Sequence, residues 1–220
     1  MKLFTSPTSP YARLVRVTLL EKQLQDRVDY RFVDPWASPA ELVAVNTHSR
    51  VPTLVMPSGQ VLCEAAVIAL FLERRYPEPR LMPRDAVESV HARLGQAIGC
   101  IDNGAGVITE RRHGDPHTPL ARRRFDALER AANALAVGVE GQAPAEDPDL
   151  GDLATAVALA WVDFRFGGEI PWRAAQPAAG EWLPDRVRAA IAADDVDGER
   201  YRGVARRDGP LAVPPPASGD

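Results

Sequence analysis

The sequence predicts an α/β half followed by an all-helical half, and three observations carry that expectation. Up to about residue 80, short strand-like runs alternate with amphipathic stretches. Residues 77–85, "PEPRLMPRD", then break the alternation with three prolines, a composition that stays extended and reads as a linker. Beyond residue 85 the pattern is helical until a proline-rich tail.

Each element of the first half has its own signal. "KLFT" at 2–5 reads as a short strand, and "SPTSPYARLVRV" at 6–17 leads into a helix. Ser9-Pro10 marks its start, because a serine oxygen accepts from exposed backbone N–H groups and proline tolerates the first helical position. Through "YARLVRVTLLEKQ", Val15, Leu19 and Leu20 fall on one side, with Arg13, Arg16 and Glu21 elsewhere. "VDYRFVD" at 28–34 alternates as a half-buried strand, so strand, helix, strand implies a right-handed parallel crossover.

"ASPAELVAVN" predicts a further helix opened by a capping box between Ser38 and Glu41. "VPTLVM" and "QVLCE" flank "PSG" and predict a hairpin. "EAAVIALFLERRY" closes this half, with Ile68, Phe71 and Leu72 together and a stop before Pro77.

Four helices are expected after the linker, over 86–112, 119–139, 149–167 and 181–193. In the third, Leu153, Val157, Ala160, Trp161 and Phe164 form an apolar stripe, Asp149 and Asp152 cap its start, and Asp163 and Arg165 suggest a local charge pair. The proline-rich tail from 210 is expected to be disordered. The domain boundaries that follow are 1–80 and 86–208.

Composition excludes several classes. The 26 Lys+Arg against 30 Asp+Glu leave a formal charge of −4, which offers no general attraction to nucleic acid or anionic lipid. The short basic run "RRRF" at 122–125 sits among Asp126 and Glu129 as a solvated helix face. No stretch approaches the roughly 20 apolar residues of a membrane-spanning helix, and "MKLFTSPTSP" is no signal peptide. The expected location is cytoplasmic.

Cys63 and Cys100 have no metal or C-x-x-C spacing and read as small, semi-buried side chains. His113 and His117 are four apart, but Gly114 and Pro116 break the helix between them. "DDVDGE" at 194–199 is too short for a calcium loop. No metal site is expected.

The chain resembles the cytosolic glutathione S-transferase superfamily over roughly residues 1–205. The likeness lies in "TSPYAR" at 8–13, "NTHSRVPTLV" at 46–55, "EAAVI" at 64–68, the linker with "LMP", and "DLGDLATAVALAWVDFRF" at 149–166. The resemblance implies a thioredoxin-like N-terminal domain, a helical-bundle C-terminal domain and a homodimer.

It also implies glutathione as co-substrate, with a small hydrophobic electrophile as second substrate. By position, Ser9 would hydrogen-bond the glutathione sulfur and favour its thiolate, with Thr8 and Tyr11 as competing hydroxyls. Tyr11 could instead pack, or line the substrate pocket. The family's cis proline would be Pro52, leaving the Val51 backbone to pair with glutathione, and Arg50 could meet the glycyl carboxylate. Glu64 would receive the γ-glutamyl ammonium.

Ala65 departs from the family pattern, which has Ser or Thr there. A lost hydrogen bond to a charged group costs about 1.5 to 3 kcal/mol. Each position also has a plain structural reading: Ser9 as a cap only, Arg50 as a solvated cation, Glu64 as an acid favoured at a helix start. Two functions therefore stand side by side: a glutathione S-transferase, and a non-catalytic binding or protein-interaction module on the same fold.

Overall fold

The computed structural model describes residues 1–142 and 146–180, together with 182, 183, 185, 187, 188 and 191. The first half runs β1 (Lys2–Thr5), α1 (Pro10–Glu21), β2 (Asp29–Phe32), α2 (Ala40–Val43), β3 (Thr53–Val55), β4 (Val61–Cys63) and α3 (Ala65–Arg75). The strands form one sheet in the order β2-β1-β3-β4. β1 and β2 are parallel, and the β1–β3 and β3–β4 pairs are antiparallel. This is the thioredoxin-like arrangement, and the strand and helix order matches the expectation element by element.

The "PSG" turn works as its residues suggest. Gly59 takes φ +85°, which a side chain would strain; across the turn Gly59 N donates to the Met56 carbonyl (2.9 Å) and Met56 N to the Gln60 carbonyl (2.8 Å). β2 shows the anticipated alternation of exposed and half-buried residues.

The helical half contains α4 (Val87–His113), α5 (Pro119–Val139), α6 (Leu150–Phe166) and the short α7 (Trp172–Ala175), which the sequence did not signal. α6 is the centre. It packs against α4, α5 and α1 and is buried on almost every side. Gly104 lets α4 approach it, since a Cβ there would lie 2.5 Å from the Trp161 ring. The helix expected over 181–193 lies largely outside the described residues, as do "DDVDGE" and the tail from 210.

Several expectations need correction. α1 is not simply amphipathic: Arg13 and Arg16 are buried, while Leu20 is 37% exposed. The cause is position, because α1 packs against α3 on one side and α4 and α6 on another, leaving little free face. Arg16 donates to the Ser6 carbonyl (3.0 Å) and to the Thr5 hydroxyl, so its charge braces the β1–α1 turn from within.

The Ser38–Glu41 capping box does not form. Asp34 accepts from Trp36 N (3.0 Å) and opens a 3-10 turn over Pro35–Ala37, which Ser38 closes in a left-handed conformation; α2 then starts at Ala40, with Pro39 at its N-cap position and no side-chain cap. In α6, Phe164 is 48% exposed and Phe166 takes the core position. Asp163 pairs with Arg173, not Arg165, whose guanidinium lies over the Phe164 ring.

The Asp149–Asp152 cap is a full reciprocal box, with Asp149 Oδ1 accepting from Asp152 N (2.9 Å) and Asp152 Oδ2 from Asp149 N (3.1 Å). Arg93 on α4 reaches both carboxylates. Burial, aided by the Asp149 charge, raises the Asp152 pKa. Cys63 is half-buried and Cys100 buried, both as free thiols, and burial pushes Cys100 up to about 12.

The proline-rich segment is anchored to the α/β half by a buried ion pair. Lys22, just past α1, pairs with Glu73 on α3 and also donates to the Pro79 carbonyl (2.6 Å). The two Glu73 oxygens accept from the backbone N–H groups of Leu81 and Met82, each at 3.1 Å. Leu81 in turn accepts from Leu150 N (2.8 Å), which ties the segment to the start of α6.

Glu73→Ala leaves a buried ammonium without its counter-charge, held only by the Pro79 carbonyl, and strands two backbone donors. Denaturant unfolding is expected to show a loss of about 3 to 5 kcal/mol; a loss under 1 kcal/mol would mean that the linker is held some other way.

Candidate functional site

The β1–α1 turn presents Ser9. Its backbone is extended (φ −79°, ψ 118°), Pro10 follows as the first helical residue, and its Oγ accepts from Ala12 N at 3.2 Å. The cap uses a lone pair, so the hydroxyl hydrogen is not consumed. Among the described residues no acceptor takes that hydrogen. Thr8 sits half-buried in the same turn.

Tyr11, two residues further on, is differently engaged. Its phenol donates to Asp102 Oδ1 on α4 at 2.5 Å, joining the two halves across 91 residues of chain. Burial first, then the hydrogen bond and the charge of Asp102, raise the phenol far above the ordinary tyrosine pKa. Glu64 pushes the same way and Arg50 opposes.

The sheet register brings the second and third segments together. β3 and β4 pair Thr53 with Cys63. Val51-Pro52, just before β3, therefore lies beside Glu64-Ala65, just after β4. The Val51-Pro52 bond is cis, and Val51 lies outside the β3 ladder with its side chain in the small core of Phe4, Ala12, Val33 and Leu42. A second cis bond, Glu78-Pro79, lies in the linker.

Glu64 is the N-cap of α3, yet its side chain makes no capping bond. Its carboxylate is exposed, and its backbone takes φ +69°, a conformation disfavoured for any residue with a Cβ. Such strain persists where the surroundings over-determine it. Here β4 and α3 fix both neighbours. Ala65 is the first residue of α3 and is buried, so its methyl adds no donor to the first turn.

Asn46 is a residue that the sequence reading missed. Buried at 4% exposure, it donates from Nδ2 to Thr53 Oγ1 (2.8 Å) and to the Arg50 carbonyl (3.2 Å), and its Oδ1 accepts from His48 N (3.0 Å). It thereby shapes the loop that carries Arg50 and Val51. The Asx turn to His48 is the signal that could have found it, since Asn commonly bonds the backbone two residues on. Asp102 had no such signal, because only the folded chain brings it to Tyr11.

A second contact crosses between the halves. The exposed Trp36 ring lies tilted against His113 (centroids 5.2 Å apart, planes at 36°) with Arg112 over its face. Asp102 and His113 lie on the same helix, about 16 Å apart along its axis. Two cavities lie elsewhere, one of about 480 Å³ beside α6, α7 and Trp182, the other of about 340 Å³ along the outer face of α5.

A thioredoxin-like domain with a cis proline before β3, a capped serine at α1 and a helical domain docked through α6 defines a glutathione transferase-like protein. Residues 3–80 match the family "Glutathione S-transferase, N-terminal domain". The GST-like protein YibF of Escherichia coli is 28% identical over 172 residues, covering 75% of this chain and 83% of that one. FtsZ-localized protein A of Caulobacter vibrioides is 28% identical over 217 residues, with 90% and 91% coverage.

A glutathione S-transferase structure from Methylobacterium radiotolerans, in complex with glutathione sulfonate, superposes with TM-score 0.78 at 26% identity, covering 88% of this chain and 93% of that one. Residues 3–80 belong to the glutathione S-transferase N-terminal domain family, and the chain as a whole is similar in sequence and fold to glutathione S-transferases.

Asn46→Ala removes the buried amide that donates to Thr53 Oγ1 and to the Arg50 carbonyl, leaving only the Thr53 Oγ1–Arg50 carbonyl bond (2.8 Å) and freeing His48 N. It is expected to cost about 1 to 3 kcal/mol of stability, and amide exchange should rise between residues 46 and 52. Unchanged exchange there would remove Asn46 from the loop's support.

Proposed function

We propose that the chain is a glutathione S-transferase in which Ser9 donates its hydroxyl hydrogen to the glutathione sulfur. The carrying observation is the division of labour at Ser9: its lone pair caps α1 and its hydrogen remains to be given. A free thiol has a pKa of about 8.5 and is mostly protonated at neutral pH. A hydroxyl donor and the positive end of α1 both favour the anion. The thiol proton passes to water, and the thiolate's electron pair forms a C–S bond with an electrophilic carbon of a small hydrophobic substrate as that carbon's bond to its leaving group breaks and the group departs with the bonding pair.

The remaining residues hold the tripeptide. The Val51 backbone, freed by cis Pro52, pairs with the cysteinyl unit as one strand pairs with another. Arg50 meets the glycyl carboxylate and Glu64 the γ-glutamyl ammonium. The Ala65 N–H, at the start of α3, faces the γ-glutamyl carboxylate. Tyr11 borders the second-substrate side. The reading takes 1–80 as the glutathione domain and 86–208 as the helical domain of a cytoplasmic homodimer.

A second reading is a binding or protein-interaction module that has kept the fold and lost cofactor affinity. Ala65 favours it, and so does the similarity to FtsZ-localized protein A. Calorimetry with glutathione separates the two, since tight binding supports the transferase and none supports the module.

Glycine is nearly as good an N-cap as serine, so Ser9→Gly removes the donor with little loss of stability. Glutathione-dependent kcat/KM is expected to fall about ten- to hundredfold, the value of a hydrogen bond to a charged group. Unchanged turnover would refute the role of Ser9. Ala65→Ser restores a hydroxyl at the start of α3 and is expected to tighten glutathione binding about tenfold or more by calorimetry; no change would mean that the backbone N–H already suffices.

A further inference from the structure

Ser9 and Tyr11 both stand at the start of α1 with a hydroxyl that could meet a thiolate. They differ in where their hydrogens go. Ser9 spends only a lone pair on its helix. The single phenolic hydrogen of Tyr11 is already given to Asp102, and one O–H cannot serve a carboxylate and a thiolate at full strength together. Asp102 is an exposed residue on α4, reaching Tyr11 from the opposite half of the molecule.

We propose that Asp102 is a positioning residue of the thiolate site: it holds the Tyr11 hydrogen, so that the phenol oxygen can only accept and Ser9 is the hydroxyl left to donate to sulfur. The proposal rests on the transferase reading above. Without Asp102 the tyrosine would compete for the thiolate, since a charge-assisted bond to an anion is the strongest one open to a phenol.

The charged groups acting on the phenol are Asp102 from α4, Arg50 from the loop before β3 and Glu64 from the start of α3. Burial above all, then the hydrogen bond and charge of Asp102, and least Glu64, keep it protonated, and Arg50 opposes them. Removing Asp102 takes away its hydrogen bond and its charge and leaves the burial. The phenol should then titrate at lower pH, and its hydrogen is free to point at the ligand.

The test uses the full chain and three readouts: tyrosinate absorbance of the ligand-free protein with Y11F as blank, glutathione calorimetry, and glutathione-dependent turnover against pH. D102A is expected to lower the pH at which Tyr11 ionises. On the S9G background it should restore turnover roughly tenfold or more, and adding Y11F should abolish that recovery. D102N should restore less, because its amide oxygen still accepts from the phenol.

A purely structural Asp102 would produce no recovery at all. If wild type binds glutathione and S9G/D102A stays as slow as S9G, the proposal is overturned and the transferase reading stands. The same holds if Y11F alone raises the bound thiol's pKa as far as S9G does. If wild type binds no glutathione, the transferase reading fails and the proposal falls with it, while the tyrosinate titration still reports whether Asp102 holds the phenol.

Discussion

Helix α1 is the wall that both halves of the molecule share, and its burial constrains everything near it. One side packs on α3 and another on α4 and α6, so even its arginines are enclosed. Burying a charge is costly unless it is paired or hydrogen-bonded. Arg16 meets this demand by bonding to the turn before the helix, and Lys22 meets it by pairing with Glu73 just past the helix end. Both arrangements convert the cost of a buried cation into a fixed position for a loop: the β1–α1 turn at one end, the interdomain segment at the other.

That rigidity gives the candidate site its geometry. Ser9 is held by its cap and by the turn that Arg16 braces. The loop bearing Arg50 and Val51 is organised around Asn46, and Glu64 is held in a strained backbone state between β4 and α3. No one of these residues is unusual by type. Their juxtaposition comes from the β3–β4 register, which puts the loop before one strand beside the residue after the other.

The electrostatics of the site follow from hydrogen bookkeeping at three oxygens. Ser9 accepts from the helix and can donate outward, Tyr11 donates to Asp102, and Glu64 carries an exposed carboxylate that does not cap its own helix. A site organised in this way has one hydroxyl donor to spare at a helix N-terminus, where an anion is favoured. Ala65 brings no side-chain donor to the first turn of α3, which under the proposed function bears on how tightly a tripeptide would be held and not on where it would lie.

The local signals in the sequence were sufficient for nearly every element. Ser9-Pro10, "PSG" and the Asp149–Asp152 box each form from residues within a few positions of one another, so short-range hydrogen bonding and backbone preference determined them. The same reasoning misjudged Ser38, because a competing local turn from Asp34 claimed it first. It misjudged Arg13, Arg16 and Phe164 because periodicity reports which residues share a face and not how many faces are covered.

What the sequence determined by itself was the order of strands and helices, the place of the linker, and the cap at Ser9. What only the tertiary structure decided was the company those residues keep: Tyr11 with Asp102, Lys22 with Glu73, and Asn46 with the loop before β3. The physical reason is distance along the chain. Capping and turns are settled within a few residues, whereas a hydrogen bond spanning 91 residues exists only once packing has brought two helices together.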